Sequence, residues 1–392
     1  MAAACAPWLP AAAAPGPTGG RFLDPAALAR ADAALAAAVA EGRIPGAVLR
    51  IEREGTVHQR AIGRKGLQPV AEALSEDTVY DAASLTKAVC TAPLVMQLAE
   101  GGVLDLEAPI KRWLPAFDSH DAITARHLLT HTSGLPAGLP LAPDWTGHEA
   151  ALALACTRQV THPPGSFFRY SDVNFILLGE IAQRVAGQPL QTLAQQRLFG
   201  PLGMADSGFL PLQGSSRMAV QRIAPTEIVA GGVLPLRGEV HDPTARRMGG
   251  VAGHAGLFTT AADLARYARM LMNNGLLDGV RVLQPATVAR MTQVGTPPGL
   301  PERRSLGFDI DSPFSRARGK VFPIGSYGHT GFTGCVLWVD PFSRCFHVLL
   351  SNRVHPRTRD PIVALYEEVG TLAAQAVTGF DFSNVPGALP AR

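Results

Sequence analysis

Ser84 stands three residues before Lys87 in the stretch YDAASLTKAVCTA. On a helix, positions i and i+3 share a face, so the hydroxyl and the amine come within hydrogen-bonding reach. At a helix N-terminus the positive end of the dipole favours a developing alkoxide on Ser84 and disfavours an ammonium beside it. Burial acts in the same direction, which makes Lys87 a candidate neutral base and Ser84 a candidate nucleophile. Ser-x-x-Lys alone is also what a capped helix start with a solvated lysine looks like. Its company separates the two readings: Tyr170-Ser171-Asp172 follows, and His329-Thr330-Gly331 then opens a strand near the C-terminus.

Other constellations carry less. His127 and His131 are four apart on a predicted helix, a metal-ligand spacing, but no glutamate adjoins them, and no metal site is assigned. His241-Asp242 and His254 fall in RGEVHDPTARRMGGVAGHAGLF, read as a glycine-rich loop bordering the site, with packing or loop ordering as its role. No Gly-x-Ser-x-Gly occurs, so a nucleophile elbow of the α/β-hydrolase kind is excluded.

These residues must be positioned by a chain of 392 residues, 47% hydrophobic and 17% charged, which is a globular composition able to bury a large core. The net charge of +3 is dispersed, and basic pairs such as Arg246-Arg247 and Arg303-Arg304 read as solvated surface, not as a nucleic-acid footprint. No apolar run has the length of a membrane span. The five cysteines, Cys5, Cys90, Cys156, Cys335 and Cys345, form no Cys-x-x-Cys pair and read as small buried hydrophobes. A hairpin turn at Asp340-Pro341 would set Cys345 opposite Val339. Residues 1–20, rich in Ala, Pro and Gly, read as a flexible tail. That tail lacks the charged and apolar regions of an export signal, and the compartment stays open, with a trimmed signal or a lipoprotein Cys5 as alternatives.

Asp24-Pro25 marks a helix start that AALARADAALAAAVAEG continues to Gly42. GAVLRIER and TVHQRAIG follow as strands joined by a Glu54-Gly55 turn. A helix runs from Ser84 to about Glu100, kinked at Pro93. ITARHLLTHT and NFILLGEIAQRVAG alternate with Pro/Gly-rich loops, and FTTAADLARYARMLMNNG adds a further helix. SYGHTGFTGCVLWVD and RCFHVLLSNR read as a strand hairpin, closed by the helix ALYEEVGTLAAQAV. Strands at both ends with helices between them imply an α+β fold. Its parts are an antiparallel sheet domain from residues 21–82 and 255–392, a mainly helical domain over 83–254, and the active site between them.

The combination resembles the superfamily of penicillin-binding proteins and class C β-lactamases, which includes the family VIII carboxylesterases. The resemblance rests on YDAASLTKAVCTAPLVMQLAEGGVLDLEAPIKRWLP, ITARHLLTHTSGLP, PGSFFRYSDVNFILLGEIAQRVAG, GGVAGHAGLFTTAADLARYARMLMNNG and YGHTGFTGCVLWVD, between about residues 45 and 356. It implies a β-lactamase/transpeptidase-like fold and an acyl-enzyme on Ser84, with Lys87 taking or relaying the proton. Tyr170 is the other candidate base and the acid for the leaving group, and the backbone N–H groups of Ser84 and Phe332 form the oxyanion hole. Thr330 and Gly331 belong to the substrate-binding strand, and Asn352 and Arg353 lie where relatives bind a substrate carboxylate. No cofactor is implied.

Two departures bear on substrate. His329 replaces the lysine of Lys-Thr-Gly, exchanging a fixed cation for one only partly charged near neutral pH. Asp172 replaces the asparagine of Tyr-x-Asn, and a carboxylate accepts hydrogen bonds where the amide would donate to an acylamide carbonyl. Asp172 could pair with Lys87 instead, while Asn174 could stand in only if its loop presented it. Both departures favour simple esters, so the reading is a carboxylesterase for short-chain or modest-sized esters. A β-lactamase or D-alanyl-D-alanine carboxypeptidase is the nearer alternative, and a non-catalytic binding protein the more distant one. The expected partner is a small ester or lactam, with no nucleic acid and no membrane integration; oligomeric state is not addressed by the residues.

Overall fold

The computed structural model describes residues 22–213, 218–358 and 360–391, so the tail with Cys5 lies outside the described residues. The chain opens with helix α1 (Pro25–Ala40) and strands β1 (Gly46–Arg53), β2 (Thr56–Gly66), β3 (Glu72–Ala73) and β4 (Tyr80–Asp81). Helices α2 (Ala92–Glu100), α3 (Ala125–Leu129), α4 (His148–Cys156), α5 (Asp172–Ala186), α6 (Leu190–Ala194) and α7 (Pro243–Arg247) follow. Then come β5 (Phe258–Thr259), α8 (Ala261–Met272), β6 (Leu276–Leu277), β7 (Val280–Arg281) and α9 (Pro285–Thr292). Strands β8 (Arg303–Arg304), β9 (Asp309–Asp311), β10 (Tyr327–Gly331), β11 (Cys335–Asp340) and β12 (Cys345–Ser351) and helix α10 (Val363–Gln375) complete it.

Eight of these strands form one sheet in the order β3-β2-β1-β12-β11-β10-β9-β8, joining the two ends of the chain. Each neighbouring pair is antiparallel. Local sequence explains its edges. Asp24 caps α1 by accepting from the N–H groups of Ala26 and Ala27, ahead of Pro25. The β1–β2 turn is the two-residue Glu54-Gly55, with φ of 47° and 78°, a backbone that matches the twist of the strands it joins.

Side-chain alternation divides the core in two. Ala47, Leu49, Ile51, Val336 and Trp338 face α1 and α10, while Val48, Leu337, Val339, Val348 and Leu350 face the helices of the middle of the chain. Each fully buried aliphatic contributes about 2 kcal/mol. Among the described residues no helix is long and apolar enough to cross a membrane.

Three details differ from the sequence reading. SYGHTGFTGCVLWVD is itself a hairpin, β10 and β11, because Gly334 at φ 115° turns the chain; His329-Thr330-Gly331 therefore ends a strand instead of opening one. The β11–β12 loop spans residues 341–344 with Arg344 at φ 56°, which sets Cys345 opposite Asp340, one place from the expected Val339. The helix is continuous over residues 85–100 but not uniform: the turn Lys87–Thr91 is a π-helix, with the Ala92 N–H donating to the Lys87 carbonyl, and Pro93, which has no N–H to offer, follows that wider turn.

Glu52 on β1 is buried and accepts from Arg50 on its own strand and from Arg269 on α8, tying a middle helix to the sheet. Removing one partner of such a network strands the others, so Glu52→Ala is expected to lower unfolding free energy by about 3 kcal/mol. Urea denaturation followed by circular dichroism reads this directly.

Candidate active site

Ser84 sits at a sharp junction between β4 and the helical segment that leads into α2. Ala83, just before it, adopts φ 46°, a left-handed conformation costing about 1 kcal/mol in a residue with a Cβ. Asp81 holds this bend: one carboxylate oxygen accepts the Ala83 N–H at 2.9 Å and the other the His241 N–H at 2.7 Å. The Thr86 hydroxyl donates to the Ala83 carbonyl and accepts from the Leu257 N–H, locking the junction onto the 250s loop.

Lys87 follows in the π-turn and is fully buried. Its Nζ donates to Ser84 Oγ at 3.0 Å and to the His254 carbonyl at 3.1 Å, and lies 2.7 Å from Asp172 Oδ1. Three acceptors match the three N–H groups of an ammonium. Burial by itself lowers the lysine pKa, but the Asp172 carboxylate and Tyr170 more than reverse this, and the net direction is upward. The expected neutral lysine is therefore corrected: in the resting site Lys87 is an ammonium, because the sequence places a carboxylate where burial alone would have met an amide.

Asp172 reaches Lys87 because Ser171 caps α5, its Oγ accepting from the Asn174 N–H, so that Asp172 falls in the first turn. Asn174 does not substitute for it. Its side chain is fully buried, accepts from Ser133 Oγ at 2.6 Å and faces His131 Nδ1 at 3.3 Å. His131 packs against Tyr170 with ring centroids 4.5 Å apart and planes tilted by 31°, and accepts the Ser171 N–H at 3.1 Å, fixing the Tyr170-Ser171-Asp172 segment. His127 is engaged with Thr124 in a cap of α3, so the two histidines do separate structural jobs. Tyr170 leans over Lys87, its ring centre 5.0 Å from Nζ.

The opposite wall is the end of β10. A Cβ on Gly331 would lie 2.4 Å from the Ala82 carbonyl, so only glycine lets this strand approach the bend that carries Ser84. The Thr333 hydroxyl donates to the Asp81 carbonyl at 2.7 Å and holds the turn after β10 against the same bend. Ser84, Tyr170, His329, Thr330, Gly331, Phe332 and Arg353 all line one cavity of about 330 Å³, walled by Phe314, Pro361, Ile362, Val363 and Tyr366. Phe332 is half exposed at the rim, between the His241 ring and the Arg353 guanidinium, the latter 4.5 Å from its ring centre.

Two expected binding residues behave differently. Burial, reinforced by Arg304 and Lys87, drives the His329 imidazole well below its ordinary range, so it is neutral instead of partly charged. Asn352 is turned away from the cavity, its amide donating to the Lys65 and Pro225 carbonyls at 2.7 Å each.

Arg304, read from the sequence as surface, is 1% exposed and lines the cavity beside Asp309, 3.4 Å away.

Residues 31–369 match the family model described as Beta-lactamase. The chain belongs to the beta-lactamase family. A relative in Escherichia coli (strain K12), carrying the name "Putative D-alanyl-D-alanine carboxypeptidase", is 32% identical over 317 residues, covering 72% of this chain and 71% of the relative. Among solved structures, "EstCE1, a hydrolase with promiscuous acyltransferase activity" superposes with TM-score 0.69 at 24% identity, over 88% of this chain and 99% of that one. The unliganded simvastatin synthase LovD from Aspergillus terreus does so with TM-score 0.68 at 22% identity, over 89% and 98%. At such identities the structural likenesses carry the fold alone: a β-lactamase/transpeptidase-like antiparallel sheet with helices. This beta-lactamase family member is thus a serine hydrolase of that fold.

Proposed function

We propose that this serine hydrolase is a carboxylesterase for short-chain or modest-sized esters, with Ser84 as the acylated nucleophile. The observation that carries the reading is the 2.7 Å contact between Lys87 and Asp172. A carboxylate there has no hydrogen to offer an acylamide carbonyl, whereas a simple ester asks for none. The neutral His329 and the apolar walls of the cavity support the same substrate class.

In the proposed mechanism Ser84 Oγ attacks the ester carbonyl while its proton passes to Lys87, which in the same step gives one of its own to Asp172. The tetrahedral oxyanion is held by the N–H groups of Ser84 and Phe332. When the intermediate collapses, the C–O bond to the alcohol breaks and the proton returns through Lys87 and Tyr170 to the leaving alkoxide. Water then repeats the sequence on the acyl-enzyme, releasing the acid and restoring Ser84.

A second reading, a D-alanyl-D-alanine carboxypeptidase or β-lactamase, is favoured by one feature: Arg353 and Arg304 both line the cavity and offer cationic groups to a substrate carboxylate. For either, a fluorophosphonate probe is expected to add once per chain, on the peptide containing Ser84, as read by mass spectrometry. Attachment elsewhere, or no attachment to folded protein, contradicts the nucleophile assignment.

A further inference from the structure

Beside Lys87, and outside the lining of the cavity, lies a second acid–base pair that the proposed mechanism does not use. Asp242 precedes α7 and caps it, accepting the Ala245 N–H at 2.8 Å. The same oxygen is 2.9 Å from His254 Nε2. His254 is 1% exposed, and its Nδ1 has no hydrogen-bond partner among the described residues. As a carboxylate, Asp242 can only accept, so the Nε2–H of the ring donates to it.

The backbone places this pair against the lysine. A Cβ on Gly253 would lie 2.1 Å from the Phe175 carbonyl and 2.9 Å from the Gly179 Cα, so two facing glycines let the 250s loop press onto α5. That approach carries the His254 carbonyl to Lys87 Nζ and the Thr91 hydroxyl to the Gly253 carbonyl. Asp172, Asp242 and His254 each present a ligand atom within 4.8 Å of the others. Three such groups could suit a divalent cation, but the ammonium of Lys87 already stands against Asp172 and fills the cationic role.

We propose that Asp242 is the second counter-charge of Lys87 and that His254 is the clamp that fixes both, its ring holding the Asp242 carboxylate and its carbonyl the Lys87 ammonium. Both are positioning residues; neither touches the substrate cavity. The inference rests on Lys87 taking part in proton transfer, and it explains how that transfer is sustained. When Asp172 accepts a proton during acylation, the first counter-charge disappears. Asp242 then keeps Lys87 an ammonium, ready to return the proton to the leaving group.

The other groups facing Lys87 are Ser84, Tyr170, Asp172, and the rings of His131 and His329, with Arg304 beyond them. Burial would raise the Asp242 carboxyl, but the His254 ring, the Ala245 N–H and Lys87 more than reverse this and keep it ionised.

The chain has four lysines, Lys65, Lys87, Lys111 and Lys320, so labelling lysine with 13C at Cε gives a spectrum in which Lys87 is assigned by a single replacement. In Asp242→Asn the cap and the His254 contact can persist while the charge is gone, and the Lys87 titration midpoint is expected to drop by about one pH unit. Asp242→Ser, which also caps a helix, gives the same shift and replaces the asparagine variant if that one does not fold. A midpoint unchanged within about 0.3 unit in the folded variant overturns the proposal, leaving Asp242 as a loop fastener only. If the midpoint drops but Ser84→Ala retains ester turnover, the charge assignment stands and the catalytic reading fails, so the two are separable.

Discussion

Ser84→Ala is expected to lower kcat/KM for p-nitrophenyl butyrate by about 10⁴-fold, the scale on which removal of an acylated serine leaves only binding and oxyanion stabilisation. The fold has little stake in this hydroxyl. Lys87 retains Asp172 and the His254 carbonyl, the bend before residue 84 is held by Asp81, and the turn after it by Thr86. The thermal midpoint should therefore stay within about 1 °C of the parent, a shift corresponding to less than about 1 kcal/mol in a chain of this size. Loss of turnover together with a large fall in the midpoint would place Ser84 in the structure instead of the chemistry.

The second large effect is a change of preference. In Asp172→Asn the side chain beside Lys87 gains an N–H and loses the charge that repels a carbonyl oxygen. A hydrogen bond gained in place of that repulsion corresponds to about 1.5–3 kcal/mol. The ratio of kcat/KM for a chromogenic cephalosporin to that for the butyrate ester should rise by about tenfold to a hundredfold. Lys87 also loses its nearest counter-charge while remaining buried, so its pKa falls, the reverse of the upward direction that Asp172 imposes. The pH above which Lys87 is neutral consequently moves down in the variant. An unchanged substrate ratio would show that Asp172 does not face the reacting carbonyl.

The elements that position the site were legible where short-range chemistry decides them. Asp24-Pro25 and Glu54-Gly55 are cap and turn signals whose geometry is settled within a few residues, and the structure uses them as a cap and a turn. Ser84, Lys87 and Tyr170 were legible as a constellation, since three chemically matched groups in that order are rare, and they converge on one site. Pairing of Asp172 with Lys87 was also within reach of sequence reasoning, because an acceptor-only group beside an ammonium leaves few alternatives.

The rest depends on long-range placement. The charge of Lys87 turns on a residue 85 positions later, and burial alone gave the wrong sign. His329 is neutral because the fold buries it, with Arg304, 25 residues earlier, folded in beside it, and a pair of arginines in sequence carries no mark of which side faces the interior. Asn352 and Arg353 were both placed in the site by the family resemblance, yet adjacent residues at a strand end point in different directions, and only Arg353 faces the cavity. His241, Asp242 and His254 read as loop ordering. His241 does that work at Asp81 and Phe332, whereas the His254 carbonyl accepts from Lys87 and its ring holds Asp242, contacts no spacing rule connects.

The most direct test of the central claim is steady-state kinetics of the purified protein and its Ser84→Ala variant, in parallel, on p-nitrophenyl butyrate and a chromogenic cephalosporin. A carboxylesterase acting through Ser84 turns over the butyrate ester with the higher kcat/KM, and only with Ser84 present. A higher kcat/KM for the cephalosporin, lost in the same variant, would mean that Arg353 and Arg304 hold a substrate carboxylate despite the neutral His329, and that the ester reading is wrong.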